Sequence, residues 1–388
     1  MKTSIVLVVL GLIGFFATAN SDSTTITRPA QVTVITPMGT NGLQSLQSTN
    51  NFSLNIFAGM AGGLNGLEVG GFANVIKYDM KGVQLAGFTN VVLGKTIGTQ
   101  LAGYFNYSGG YVKGTQLAGY VNIALDSVKG GQISGFVNLA TKDMKGIALS
   151  GYANICTGEF KGVQTSGFAN VVTRDMKGAQ FSGFANVTTG NVQGAQVSGF
   201  VNYTSKLSGL QLGFINICDS VESGTPIGFL SVVKHGYHEV ELGFSESLYG
   251  TLAIKAGTNK FYNIFSIGAK PVSGNVLIGF GYGVGTSVSL SPKMSIRLED
   301  IAYGISGLKE SDNYVVLLNQ LSLLVSYNLN SHVGVNAGPS FNTFISVLDA
   351  ESNVTLEELT PYSMYNENID DINVQLYPGL KLAVAYKF

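Results

Sequence analysis

The sequence predicts an all-β chain: a β-solenoid of sixteen-residue repeats, followed by an antiparallel, eight-stranded β-barrel. Three observations carry this reading. A Gly-Phe/Tyr-x tripeptide recurs at a fixed interval through the first half. The last third is written in longer segments that alternate apolar with small or polar residues. The 51 glycines and the 12% share of charged residues leave little with which to build solvated helices.

The tripeptide begins at Gly71, Gly87, Gly103, Gly119, Gly135, Gly151, Gly167, Gly183 and Gly199, with a shorter copy at Gly213 and a degenerate one at Gly228. Three residues after each glycine but the last stands Asn: Asn74, Asn90, Asn106, Asn122, Asn138, Asn154, Asn170, Asn186, Asn202 and Asn216. Gln stands upstream at Gln84, Gln100, Gln116, Gln132, Gln164, Gln180, Gln196 and Gln211. The unit therefore reads Lys-Gly-x-Gln-x-Ser/Ala-Gly-Phe/Tyr-x-Asn-Val/Ile. Two glycines per unit would cost a helix about 2 kcal/mol. The run from Gln84 to Val91 alternates with period two, so each unit is β. The stretch from Thr173 to Gly178 has turn chemistry.

A constant interval predicts stacking, because every coil of a solenoid must be equally long for each residue type to land on its copy. Adjacent coils then lie ~4.8 Å apart. The Asn column becomes an amide ladder. Phe72, Phe88, Tyr104, Tyr120, Phe136, Tyr152, Phe168, Phe184 and Phe200 become an aromatic stack. The Lys column (Lys81, Lys113, Lys129, Lys145, Lys161, Lys177) is expected to be relieved by Asp79, Asp143, Glu159 and Asp175, each two residues earlier than a lysine. Cys156 and Cys218 replace small residues after Asn-Ile and read as buried fillers. The array is bounded at 51–230, after an N-terminal extension over 20–50. The competing arrangement makes the repeats membrane strands of one large barrel of about eighteen strands, with a pore.

From residue 231 to 388 the period stops and long alternating strands begin. In the last, Leu380, Leu382, Val384, Tyr386 and Phe388 share one face; Lys381, Ala383, Ala385 and Lys387 share the other. Val276, Ile278, Phe280, Tyr282, Val284 and Val288 oppose Gly279, Gly281, Gly283, Gly285 and Ser287. Apolar-out with small-or-polar-in is the pattern of an outer-membrane barrel; a soluble β-sandwich or lipocalin-like barrel would reverse it. Eight strands are expected, starting near 237, 248, 261, 274, 293, 314, 331 and 374. The turns at 257–260, 291–293 and 328–332 are short, whereas the connection from about 349 to 373 is long and acidic. Arg297 and Glu299 share an inward face and are expected to pair.

Two resemblances follow from these residues. The Gly-x-Gln-x-x-Gly-Phe-x-Asn units, over roughly Gly66 to Asn216, resemble the surface-repeat proteins of spirochaete and Bacteroidota envelopes. The ending on Tyr386 and Phe388 resembles the insertion signal of bacterial outer-membrane barrels, which is read by the outer-membrane assembly machinery. Together they imply an outer-membrane or cell-surface location in a Gram-negative-type cell, with a structural or adhesive role and an unspecified glycan or protein ligand. They supply no catalytic residues.

The N-terminus agrees with export. Lys2, the apolar run from Ile5 to Phe16 and Ala17-Thr18-Ala19 predict a signal peptide over 1–19. The 22 basic against 23 acidic residues argue against a nucleic-acid partner. His235 and His238 would point to opposite faces of a strand, so no metal site is expected there. Gly94-Lys95-Thr96 lacks the upstream glycine of a phosphate-binding loop. Neither a catalytic constellation nor a cofactor site is expected.

Overall fold

The computed structural model describes residues 25–272, 275–307, 315–347, 362–369 and 372–388. The predicted signal peptide and most of the acidic connection lie outside them. The chain forms two compact units, the first ending at Gly209 and the second beginning at Leu210.

The first unit is a parallel β-solenoid. A typical coil contains a seven-residue strand, Val128–Ser134, and a four-residue strand, Val137–Ala140. Each pairs in parallel with its copy sixteen residues away: Val112 with Val128 and Val128 with Met144, Asn122 with Asn138 and Asn138 with Asn154. Neighbouring copies thus run in the same direction, which overturns the alternative of a single large antiparallel barrel. In each coil the inward positions hold an apolar residue, Gln, Ala or Ser, Asn, and a small or β-branched residue. In this coil they are Val128, Gln132, Ser134, Asn138 and Ala140, all buried.

Both glycines of the repeat are steric requirements. Gly130 has φ 140°, and a Cβ there would lie 1.9 Å from the Gly114 carbonyl oxygen of the preceding coil. A Cβ on Gly135 would lie 2.2 Å from the Gly119 carbonyl oxygen. The corners of the coil therefore pack backbone on backbone, and no other residue fits without moving a neighbouring coil.

The solenoid begins before the repeat signature. Ile26–Ile35 pairs in parallel with Ser48–Ala61, and the 3-10 segment Gly42–Gln47 links them. Residues 26–50, set apart above as an extension, thus contribute a coil without carrying the motif.

The second unit opens with Ile215–Ile227 and Leu230–Val233, which pair in parallel. It continues as a closed antiparallel barrel of eight strands: Tyr237–Ser245, Gly250–Thr258, Phe261–Val272, Asn275–Ser291, Met294–Gly307, Val315–Asn328, Val333–Val347 and Ile372–Lys387. Closure joins first to last, with Val240 opposite Tyr386. All eight begin within two residues of their expected starts. A short strand not anticipated, Tyr365–Ile369, adds to the last one. One rim carries the tight turns after Thr258, Ser291 and Asn328 and both barrel ends; the other carries the connections after Ser245, Val272, Gly307 and Val347, of which the last is the longest.

Candidate functional site

The ladders of the first unit are continuous and directional. Asn138 Nδ2 donates to Asn154 Oδ1 at 2.8 Å, and the same step recurs from Asn74 through Asn90, Asn106, Asn122, Asn154, Asn170 and Asn186 to Asn202 at 2.9–3.0 Å. The second N–H of Asn138 reaches the Leu149 carbonyl at 2.7 Å. Each buried amide is thereby held by the next coil's side chain and backbone, which meets the cost of burying it. Asparagine suits this place because its amide ends one methylene from the backbone, within reach of both.

The Gln column is a second ladder of opposite sense. Gln100 Nε2 donates back to Gln84 Oε1 at 3.1 Å, Gln116 to Gln100 at 2.8 Å, and Gln132 to Gln116 at 2.9 Å. Ala148 interrupts it, and the two atoms facing the gap, Gln132 Oε1 and Gln164 Nε2, have no hydrogen-bond partner among the described residues. At its head the column holds Glu68 instead of Gln. The Glu68 carboxyl accepts from Gln84 Nε2 at 2.8 Å and from Asn55 Nδ2 at 2.9 Å. Complete burial raises its pKa from the ordinary 4.5 to about 7, against the pull of those two donors.

The aromatic column stacks as expected. From Phe72 to Phe200 successive ring centroids are 4.8–5.1 Å apart, and planes such as those of Phe88 and Tyr104 lie within 2°. The rings are about 40% exposed: Phe72 41%, Phe168 40% and Phe184 41%. Phe136 continues the file between Tyr120 and Tyr152.

The charged columns behave differently from expectation. Only the exposed pair Lys161–Glu159 forms, at 3.1 Å, among the pairings anticipated. The aspartates instead bond backbone one coil on: Asp79 Oδ1 accepts from Lys95 N at 2.8 Å, Asp143 from Glu159 N at 2.8 Å, and Asp175 from Asn191 N at 2.9 Å. A short carboxylate reaches a nearby amide at less entropic cost than it orders a long lysine. The two cysteines are free and buried, and burial pushes the Cys156 thiol up to about 11 and the Cys218 thiol up to about 12. They are the buried fillers expected.

In the barrel, the outward face is predominantly apolar on every strand, with Asp300 and Asn319 a hydrogen-bonded polar pair upon it. Leu242 and Phe244, Leu252 and Ile254, Phe265 and Ile267, Phe280, Ile296 and Leu298, Leu321, Leu323 and Val325, Phe341, and Leu382 and Val384 are all exposed large hydrophobics. Tyr386 and Phe388 continue this face to the end of the last strand, where their rings lie beside His332 and His238. Phe388 is 68% exposed.

The interior is filled in two layers. Tyr262, Ile264, Ile301, Tyr303, Leu318, Phe344 and Tyr377 belong to one buried apolar cluster. Nearer the tight-turn rim, three acids and three bases interlock. Lys255 Nζ lies 2.7 Å from Glu241 and 2.5 Å from Glu299; Lys381 lies 3.0 Å from both; and Arg297 forks onto Glu239 at 2.7 and 3.0 Å. Tyr262 and Asn336 donate to Glu299 and Glu241 at 3.0 and 2.6 Å. The expected Arg297–Glu299 pair is not formed. Side chains two apart on a strand are separated by roughly 6.6 Å, so partners across the narrow lumen are nearer. Sequence reading missed Glu239, Glu241, Lys255 and Lys381; their shared signal is a charge on the inward face of an alternating strand. No protein-family model, curated protein or solved structure matches the chain.

Proposed function

We propose that the chain is a non-enzymatic outer-membrane protein of a Gram-negative-type envelope, anchored by its barrel, with a repeat array that serves a structural or binding role. The observation that carries this reading is the predominantly apolar outer face of the eight barrel strands, which in water would be a large uncovered hydrophobic belt broken by the Asp300–Asn319 pair. Lipid is the solvent that suits such a belt, and closure leaves no unpaired edge inside it. The packed lumen favours an anchor over a conduit, since the interior of so small a barrel is taken up by side chains. Tyr386 and Phe388 are proposed as the signal recognised by the assembly machinery.

The aromatic file narrows the array's role. Both faces of each inner ring are covered by its neighbours, so the exposed part is ring edge. A sugar packs on a free aromatic face; a ridge of edges better suits stiffening of the array or contact with protein side chains. The test is fractionation of cells expressing the full chain. Folded protein is expected in the outer membrane, released only by detergent, and without conductance in planar bilayers. Monodisperse folded protein in detergent-free buffer overturns the anchor, and stable channel currents overturn the solid barrel.

A further inference from the structure

We infer that the barrel mouth at the tight-turn rim is a binding site for a small ligand bearing an oxyanion, such as a phosphate or carboxylate group. A cavity of about 750 Å³ opens there, lined by Tyr237, Lys260, Ser287, Ser289, Arg297 and Lys387 among others, all within the second unit. That volume falls in the range of small-molecule sites. The cavity is blind: the ion network and the apolar cluster fill the barrel interior.

Its chemistry points to an anion. Lys260, Arg297 and Lys387 supply three positive charges to the lining, against Glu222. Arg297 is held by Glu239, which neutralises it, so a surplus of one positive charge remains. Arg297 is 1% exposed, and its Nε has no hydrogen-bond partner among the described residues. The guanidinium is fixed in place, its two terminal nitrogens held by a carboxylate and a ring of Tyr237 5.7 Å away, so its charge sits rigidly behind the cavity wall. An oxyanion is the group that a cavity lined by two lysines and a fixed guanidinium recognises best. The hydroxyls of Ser287 and Ser289 add donors that rotate to suit. They face the cavity because Val288 and Leu290, which alternate with them, are exposed on the outer face. The site stands on the cavity and its charges alone and does not depend on lipid around the barrel.

The experiment is calorimetric titration of the detergent-solubilised full chain with inorganic pyrophosphate and with citrate, at constant ionic strength, with trehalose as the uncharged control. Saturable one-site binding of at least one anion is expected, with none for trehalose. Lys260 lies exposed in a turn, so Lys260→Gln and Lys260→Glu keep the fold. The first is expected to weaken binding by about tenfold and the second by more. Lys387→Gln, checked for heat-modifiable migration on gels, is expected to weaken it as well. Heats of dilution alone for both anions, or affinity unchanged in Lys260→Glu, overturn the site.

Discussion

The two units bury polar groups by opposite means. The solenoid uses neutral amides in files, each satisfied by an identical side chain one coil on. The barrel uses six charges, each satisfied by a different residue on another strand. The first arrangement is local and repeats without limit. The second exists only once the first and last strands meet, because Lys381 on the last strand joins Glu241 on the first. A neutral ladder loses the two steps on either side when one member is lost, whereas a balanced ion cluster is left with an uncompensated charge.

Four substitutions sharpen that contrast. Lys255→Met removes one of the two cations shared by Glu241 and Glu299 and leaves the cluster with excess negative charge, and the barrel is expected to lose roughly 3–5 kcal/mol, read as a lower melting point of the compact band on unboiled gels. Glu68 comes next. Its raised pKa means the folded state holds a proton that the unfolded chain releases near 4.5. Stability is therefore greatest below that pH, falls as pH climbs to about 7 and is flat above, by about 3 kcal/mol in all. Urea denaturation followed by circular dichroism at pH 5 and pH 8 is expected to show this fall, and Glu68→Gln to abolish it. Asn138→Leu takes the donor from Asn154 Oδ1 and the acceptor from Asn122, with an expected loss of about 2 kcal/mol in the same assay. The smallest effect is a gain. Ala148→Gln supplies partners to Gln132 Oε1 and Gln164 Nε2, and is expected to stabilise the array by about 1 kcal/mol. A loss there would mean that the gap is filled by packing rather than left open.

Much of the fold was legible because a single physical rule wrote it many times. The sixteen-residue interval specified parallel stacking, and with it the amide and aromatic files. The alternation in Met294–Gly307 specified which side chains enter the barrel. The failures share a cause too. Ile26–Ile35 joins the stack through parallel backbone pairing and side-chain bonds of its own, such as Asn50 Nδ2 to Gln31 Oε1, without the motif that marks the other coils. The partners of Arg297 and Glu299 lie on strands distant in the chain, and alternation says which way a side chain points, not what it meets. Asp79, Asp143 and Asp175 were paired with lysines by their charge, when their reach to a backbone amide decided the matter. The barrel-mouth cavity needs closure of the sheet before it exists at all.

The opposed sense of the two amide files has a consequence for length. Hydrogen-bonded amides aligned in one direction sum to a dipole that grows with their number, as in a helix, and charges the two ends. In the solenoid the Asn file points one way and the Gln file the other, so their moments largely cancel in every coil that carries both steps. Adding or deleting a coil then leaves the electrostatics of the ends nearly untouched. Such an array is free to change in size by whole sixteen-residue modules, limited by folding rather than by accumulated polarity.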